Sequence, residues 1–233
     1  MIKIEKTVTP SPDQWDAVIR GTRNAMNSWD RMDSDTDWPE HPDIYKIGPN
    51  DHDLMMRLAK AGPVHAKYRR MITVYVDITA PLYWYKEFDT YRVGVYENPT
   101  EIEMNSCSTM HKIHAKEFTL DDFSHDQLMT VVPYKETYVC PLEDLKDDIR
   151  KLNIYRELYL ETKEKAYWWQ MIQRLPSSYN QKRTIELNYE VLHNIYHSRK
   201  NHKLDEWREL CDWIKSLPYS KIITLEEKEA ENV

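Results

Sequence analysis

The segment EFDTYR at residues 87–92 and the segment NSCSTMH at residues 105–111 carry a dense set of polar side chains. Read as a helix, the first places Glu87 and Tyr91 four apart on one face, and Asp89 and Arg92 three apart, where they can pair. Asn105, Ser106, Ser108 and Thr109 suit a polar ligand, and equally suit turns and a helix cap. If a helix starts near Ser108, its backbone N–H groups can meet a phosphate. Ser108 lacks the G-x-S-x-G surroundings of an activated nucleophile. Further along, Asn188, Leu192, Ile195 and Arg199 fall on nearly one line of a helix. Asn188 and Arg199 are then roughly 16 Å apart along its axis. Two polar ends on an apolar stripe fit a long ligand, or simply flank a buried seam. No ligand set is read around His202, so no metal site is expected.

These residues need elements to hold them. IKIEKTV makes a first strand, and SPDQWDAVIRGTRNAMNSW a helix with Ser11 as N-cap and Pro12 at its first position. The polar, proline-bearing residues 30–51 predict a surface loop, followed by a helix closed at Gly62. Ile72, Val74, Val76 and Ile78 alternate with Thr73, Tyr75 and Asp77, the pattern of a half-buried strand. Pro81 then opens a helix running to about Arg92, and Thr119 caps a short one. The longest helical region runs from Cys140 to about Arg174. Residues 177–217 predict two more helices, interrupted near Asn201. The result is one α+β domain over residues 1–223, a small, mostly antiparallel sheet wrapped by several helices. An acidic tail at 224–233 is expected to be disordered.

Bulk properties remove several function classes. In 233 residues the net charge is −7, which argues against general nucleic-acid binding. Cys107, Cys140 and Cys211 are odd in number and widely spaced, unlike a disulfide framework or a zinc site. MIKIEKTVTP lacks the apolar run of a signal peptide, and no stretch approaches ~18 apolar residues. A soluble cytoplasmic protein without membrane contact is expected. Only four glycines are present, too scattered to write a G-x-G-x-x-G or P-loop motif. A nucleotide or dinucleotide would have to bind through side chains and helix ends.

At this point the chain resembles the flavin-dependent thymidylate synthases. That family has an alternating strand, an Ala-Pro helix start, a Gln, then Arg-His-Arg and Asn-Glu-x-Ser-x-Arg-Tyr. TVYVDITAPLYWYKEFDTYR keeps the strand, Ala80-Pro81 and the spacing to Arg92, with Glu87 at the Gln position and Thr90, Tyr91 and Arg92 at Arg-His-Arg. NSCSTMH keeps Asn105 and Ser108 of the next motif, and His65 matches a histidine upstream of the strand. Downstream, RLPSSYNQKRTIELNYEVLHNIYHSRKNHKLDEW resembles the later signature through Leu175-Pro176, Asn188, Asn194, Arg199, His202 and Glu206. The likeness spans about Val64 to Trp207.

The resemblance implies reductive methylation of dUMP to dTMP, with methylenetetrahydrofolate as one-carbon donor, FAD as cofactor and NADPH as reductant. Arg199 and Ser108 would be the catalytic pair, with no covalent protein nucleophile. Glu87, Arg92, Ser106, Ser108 and Arg199 would meet dUMP or a related pyrimidine nucleotide. His65, Tyr91, Arg92, Asn188, Asn194 and His202 would meet the flavin. A homotetramer with sites built across subunits is implied as well. The sequence departs from the pattern at several places. Only the last Arg of Arg-His-Arg remains, Ser106 replaces the Glu, Met110 and His111 replace Arg-Tyr, and an insert occupies residues 93–104. Arg69, Arg70 and Lys86 are nearby cations that could compensate. Alternatives are a related pyrimidine-nucleotide modification such as hydroxymethylation, a catalytically decayed nucleotide or flavin binder, and a helical scaffold.

Overall fold

The alternation at residues 72–78 becomes a fully buried strand face. In the computed structural model, which describes residues 2–37, 41–92 and 103–226, Ile72, Val74, Val76 and Ile78 have no solvent exposure. The chain begins with β1 (Lys3–Val8) and α1 (Pro12–Asn24). A reciprocal capping box opens α1: Ser11 Oγ accepts from the Gln14 N–H at 3.3 Å, and the Ser11 N–H donates to Gln14 Oε1 at 2.8 Å.

The expected loop at residues 30–51 holds more structure than its polarity predicts. It contains an antiparallel pair, β2 (Asp35–Asp37) and β3 (His41–Lys46), and the start of α2 (Pro49–Lys60). A buried latch fastens it. The Asp51 carboxylate accepts from Arg23 Nε at 2.7 Å, from the Asp33 N–H at 2.9 Å and from Ser34 Oγ at 2.6 Å. Gly48 passes so close that a Cβ there would sit 2.2 Å from the Asp33 carbonyl oxygen. Gly62, at φ +98, closes α2 as expected.

β4 (Thr73–Pro81) takes Pro81 as its last residue, so α3 (Leu82–Phe88) starts one position later than expected. The Leu82 and Tyr83 N–H groups donate to the Tyr179 and Ser177 carbonyls, both at 3.0 Å, which settles two donors that a helix start leaves open. At Asp89 the α-helix tightens into a 3-10 turn, Asp89–Arg92. The four-residue spacing of Glu87 and Tyr91 therefore does not stack them as an α-helix would. Within the insert, residues 93–102 lie outside the described residues, and β5 (Glu103–Ser106) follows. Thr119 caps only a single 3-10 turn, Leu120–Asp122.

A hairpin of β6 (Val132–Tyr134) and β7 (Thr137–Val139) precedes α4 (Pro141–Thr162) and α5 (Lys165–Arg174). The two helices are one expected region broken at Lys163, whose backbone is left-handed at φ 60. The next segment corrects the sequence reading. Residues expected to be helical form β8 (Asn180–Asn188), and α6 (Tyr189–Arg199) begins only after it. Gln181 and Arg183 sit two apart in step with Ile185 and Leu187, so the alternation is hidden by polar side chains. Gln181 is nonetheless buried, and the Arg183 guanidinium lies 3.7 Å from the Tyr85 ring centroid. α7 (Asp205–Ser216) and α8 (Lys221–Thr224) complete the fold.

The expected α+β class holds, with a four-stranded sheet in the order β1-β4-β8-β5. The chain forms two compact units, and both β4 and β8 contribute residues to each. One unit is built on Ile78–Phe88 and Asn105–Arg183. Its core packs Phe118, Phe123, Leu145, Leu152 and Met171 together. The other comprises Ile4–Asp77, Asp89–Met104 and Thr184–Val233. It buries Trp15, Ile19, Met55, Leu192, Ile195, Trp207 and Ile214. Structure continues into the expected tail. Thr224 is buried in α8, and Glu226 accepts from Tyr196 Oη at 2.7 Å and from Lys200 Nζ at 3.1 Å. Residues 227–233 lie outside the described residues.

Candidate functional site

α6 ends at Arg199, where a cation complements the negative end of the helix. Arg199 Nε donates to Tyr91 Oη at 2.6 Å. Its guanidinium carbon lies 5.4 Å from the Tyr91 ring centroid and 4.8 Å from that of Trp207. The two rings are themselves 5.8 Å apart. His202 follows three positions on. Its N–H donates to the Arg199 carbonyl at 2.9 Å, and its Nδ1 accepts from the Leu204 N–H at 3.2 Å. A neutral His202 with Nδ1 accepting carries its proton on Nε2. Three expected site residues, Tyr91, Arg199 and His202, thus meet around Trp207 within one unit.

Trp207 was not anticipated. It is fully buried near the start of α7 and packs 6.2 Å from the His202 ring as well. The sequence signal is a tryptophan eight positions after Arg199, on the helix that must fold back beside α6. A flat indole is the surface on which a planar guanidinium stacks. Guanidinium, phenol and imidazole together can grip a flat heterocycle that offers carbonyl acceptors.

The remaining expected residues are placed differently. Asn188 belongs to no helix face: it is the last residue of β8 and the N-cap of α6. Its Oδ1 accepts from the Glu190 and Val191 N–H groups at 3.1 and 3.0 Å. Asn194 is half-buried in α6, and His65 is exposed beyond Gly62. Glu87 (half-buried), Ser106 and Ser108 (both exposed) belong to the other unit. Ser108 Oγ accepts from the Met110 N–H at 3.4 Å and from the Lys112 N–H at 3.3 Å, a turn-forming use of the hydroxyl. Cys107 beside it is tied to β8 through its N–H to the Lys182 carbonyl at 2.9 Å. The Arg92 backbone lies in the 3-10 turn, and its side chain lies outside the described residues.

Arg69 is not available to replace a missing arginine. It is fully buried, with Nε 2.7 Å from Glu190 Oε2 and Nη1 donating to the Ile222 carbonyl at 3.3 Å. The Nε contact is a close charge pair, out of line for a hydrogen bond. Arg70 is half-buried and Lys86 exposed. Burial pushes the Cys211 thiol up to about 11, which removes it as a nucleophile. His193 and His197, four apart on α6, were also passed over in the sequence. Their rings lie 4.3 Å apart, and His193 Nδ1 is 2.6 Å from the Ile223 carbonyl oxygen. Among the described residues, no group of three His, Cys, Asp or Glu side chains is placed to hold a metal.

No family model and no curated protein sequence matches this chain. Solved structures do. A crystal structure of thymidylate synthase X from Helicobacter pylori with FAD and dUMP superposes at a TM-score of 0.62 and 15% identity, covering 96% of each chain. A second structure of that flavin-dependent enzyme gives 0.59 at 13% identity, over 96% of this chain and 97% of the other. The UMP/dUMP methylase PolB from Streptomyces cacaoi, bound with 5-Br dUMP, gives 0.54 at 15% identity, over 97% and 95%. At these identities the likeness establishes the fold: this chain folds as these nucleotide-binding enzymes do, nearly end to end.

Proposed function

We propose that this protein is a flavin-dependent enzyme that modifies a pyrimidine nucleotide, with reductive methylation of dUMP to dTMP as its reaction. The Arg199 cluster carries this reading. It offers a planar cation, a phenol and an imidazole at the end of one helix, in a chain that shares its fold with enzymes crystallised with dUMP. Those groups fit a flat ring with carbonyl edges. Arg199 would hold the pyrimidine edge and stabilise negative charge developing on it. Tyr91 and His202 would hold the flavin, and Asn194, on α6 with Arg199, offers a further amide. Asn188 would act mainly through α6, because its carbonyl oxygen is committed to the cap. Bound flavin and folate would supply the hydride and the one-carbon unit. Ser108, Ser106, Glu87 and Arg92 are proposed to orient the nucleotide. His65 is proposed as a further flavin contact, with NADPH as reductant.

A second reading, the modification of a different pyrimidine nucleotide, is supported by the likeness to a methylase of UMP and dUMP. Purified protein reconstituted with FAD should show a bound flavin band. It should also release tritium from [5-³H]dUMP when given methylenetetrahydrofolate and NADPH. UMP run in parallel separates the two readings. Protein that takes up neither FAD nor either nucleotide overturns both.

A further inference from the structure

Where α4 turns into α5 there is a cleft of about 410 Å³ lined by His111, Tyr159, Lys163, Lys165 and Trp168. All five residues belong to one unit, and none has a part in the site proposed above. Its volume falls within the ~300–1,000 Å³ typical of small-molecule pockets. The aromatic walls are fixed. Trp168 Nε1 donates to the Met110 carbonyl at 3.1 Å, so the indole has spent its polar atom and offers carbon surface to the cleft. Tyr159 is braced edge-on by His114, with ring centroids 4.9 Å apart.

The cationic rim is also held in place. Lys163 Nζ lies 6.0 Å from the Tyr159 ring centroid, and Lys165 Nζ lies 5.7 Å from that of Trp169. Lys163 occupies a left-handed backbone position, φ 60 and ψ 12, at the end of α4, where glycine is the relaxed choice. Glu161 and Glu164 neighbour these lysines in sequence, but the charged residues that line the cleft itself are Lys163 and Lys165.

We propose that this cleft binds a small aromatic anion. Its ring would lie against Tyr159 and Trp168, and its phosphate or carboxylate would meet Lys163, Lys165 and His111. The inference stands apart from the nucleotide reading of the Arg199 cluster.

The test uses 1-naphthyl phosphate, 1-naphthol and inorganic phosphate as probes, titrated by calorimetry into the full chain. Naphthyl phosphate should bind at least about tenfold more tightly than either fragment, and more weakly as salt rises. Binding should fall about tenfold or more in the Lys163→Asn/Lys165→Gln double variant, in which asparagine tolerates the left-handed backbone. Arg199→Lys should leave it unchanged. Both lysines are exposed, and an unchanged thermal midpoint in the double variant confirms that it folds. Equal binding of naphthol alone or of phosphate alone overturns the proposal, as does undiminished binding in the double variant. Loss in Arg199→Lys with retention in the double variant moves the ligand to the Arg199 cluster and likewise overturns it.

Discussion

Arg199→Lys separates the charge of this residue from its shape. The substitution keeps a cation at the end of α6 but removes the planar fork. Within the protein it deletes the hydrogen bond from Nε to Tyr91 Oη at 2.6 Å and the guanidinium's contact with the Trp207 ring at 4.8 Å. A charge-assisted hydrogen bond is worth about 1.5–3 kcal/mol, and a partly exposed cation–π contact about 0.5–1 kcal/mol. Lysine recovers part of both, so the folding free energy should fall by about 1–2 kcal/mol, well short of unfolding a domain. Nucleotide binding should suffer more. Replacing a two-point grip with one point removes a charge-assisted hydrogen bond, and about 1.5–3 kcal/mol there corresponds to roughly 10- to 150-fold in dUMP affinity. Calorimetric titration with dUMP and with FAD, alongside urea unfolding, reads all three quantities. FAD affinity should move much less than dUMP affinity. An unchanged dUMP affinity in a folded Arg199→Lys protein would remove Arg199 from the site and take the central observation of the functional reading with it.

Ser108→Ala should cost at most about 1 kcal/mol of stability, because its two hydrogen bonds are long and exposed. Its turnover should fall about 10- to 100-fold; complete loss with FAD and dUMP binding intact would make the hydroxyl a nucleophile after all. Asp51→Ala should destabilise the protein by about 3–5 kcal/mol in urea titrations, because it leaves Arg23 buried without its partner; a loss under about 1 kcal/mol would show the latch to be incidental. His193 is pushed down to about 4, first by burial and then by the charges of Arg69 and His197, against a hydrogen bond with Ile223 that raises it. Protonation therefore favours the unfolded chain, and the His193 contribution should be complete above pH ~6.5 and decline as pH falls toward ~4. Thermal midpoints across that window should fall less steeply in His193→Gln, and equal slopes would exclude His193 as the cause. Light scattering at micromolar concentration should give about four times the 28.1 kDa chain mass, and a clean monomer would count against assembly across subunits.

The sequence was most legible where one physical signal dominated. The Ser11 cap with Pro12, and the alternation from Ile72 to Ile78, needed only local chemistry: the strand formed as expected, and α1 began where expected but ended at Asn24, short of the expected run to Trp29. β8 was missed because its inward positions include Gln181 and Arg183, whose burial depends on partners distant in sequence: the Cys107 carbonyl, 2.7 Å from Gln181 Nε2, and the ring of Tyr85. The β2–β3 pair was missed for a related reason. Its register rests on backbone pairing and on the Asp51 latch, with no apolar alternation to advertise it. At the candidate site, motif order was enough to nominate Tyr91, Arg199 and His202. It could not show that Asn188 is committed to a cap or Arg69 to Glu190, because those commitments exist only after folding. Trp207 escaped notice because an aromatic on an amphipathic helix looks like ordinary core.

Asn188 is at once the end of β8 and the cap of α6, so strand and helix join without a single intervening residue. Such a joint has no slack. Taken as an arm about 16 Å long, α6 runs from its cap to Arg199 at the far tip. A tilt of about 5° at the pivot would carry the guanidinium about 1.4 Å, and displacements near 1 Å at reacting groups can cost ~100-fold in rate. The leverage runs both ways. Small substitutions at the cap, such as Asn188→Asp or Asn188→Ser, would then shift the tip, and with it the proposed site, through the helix.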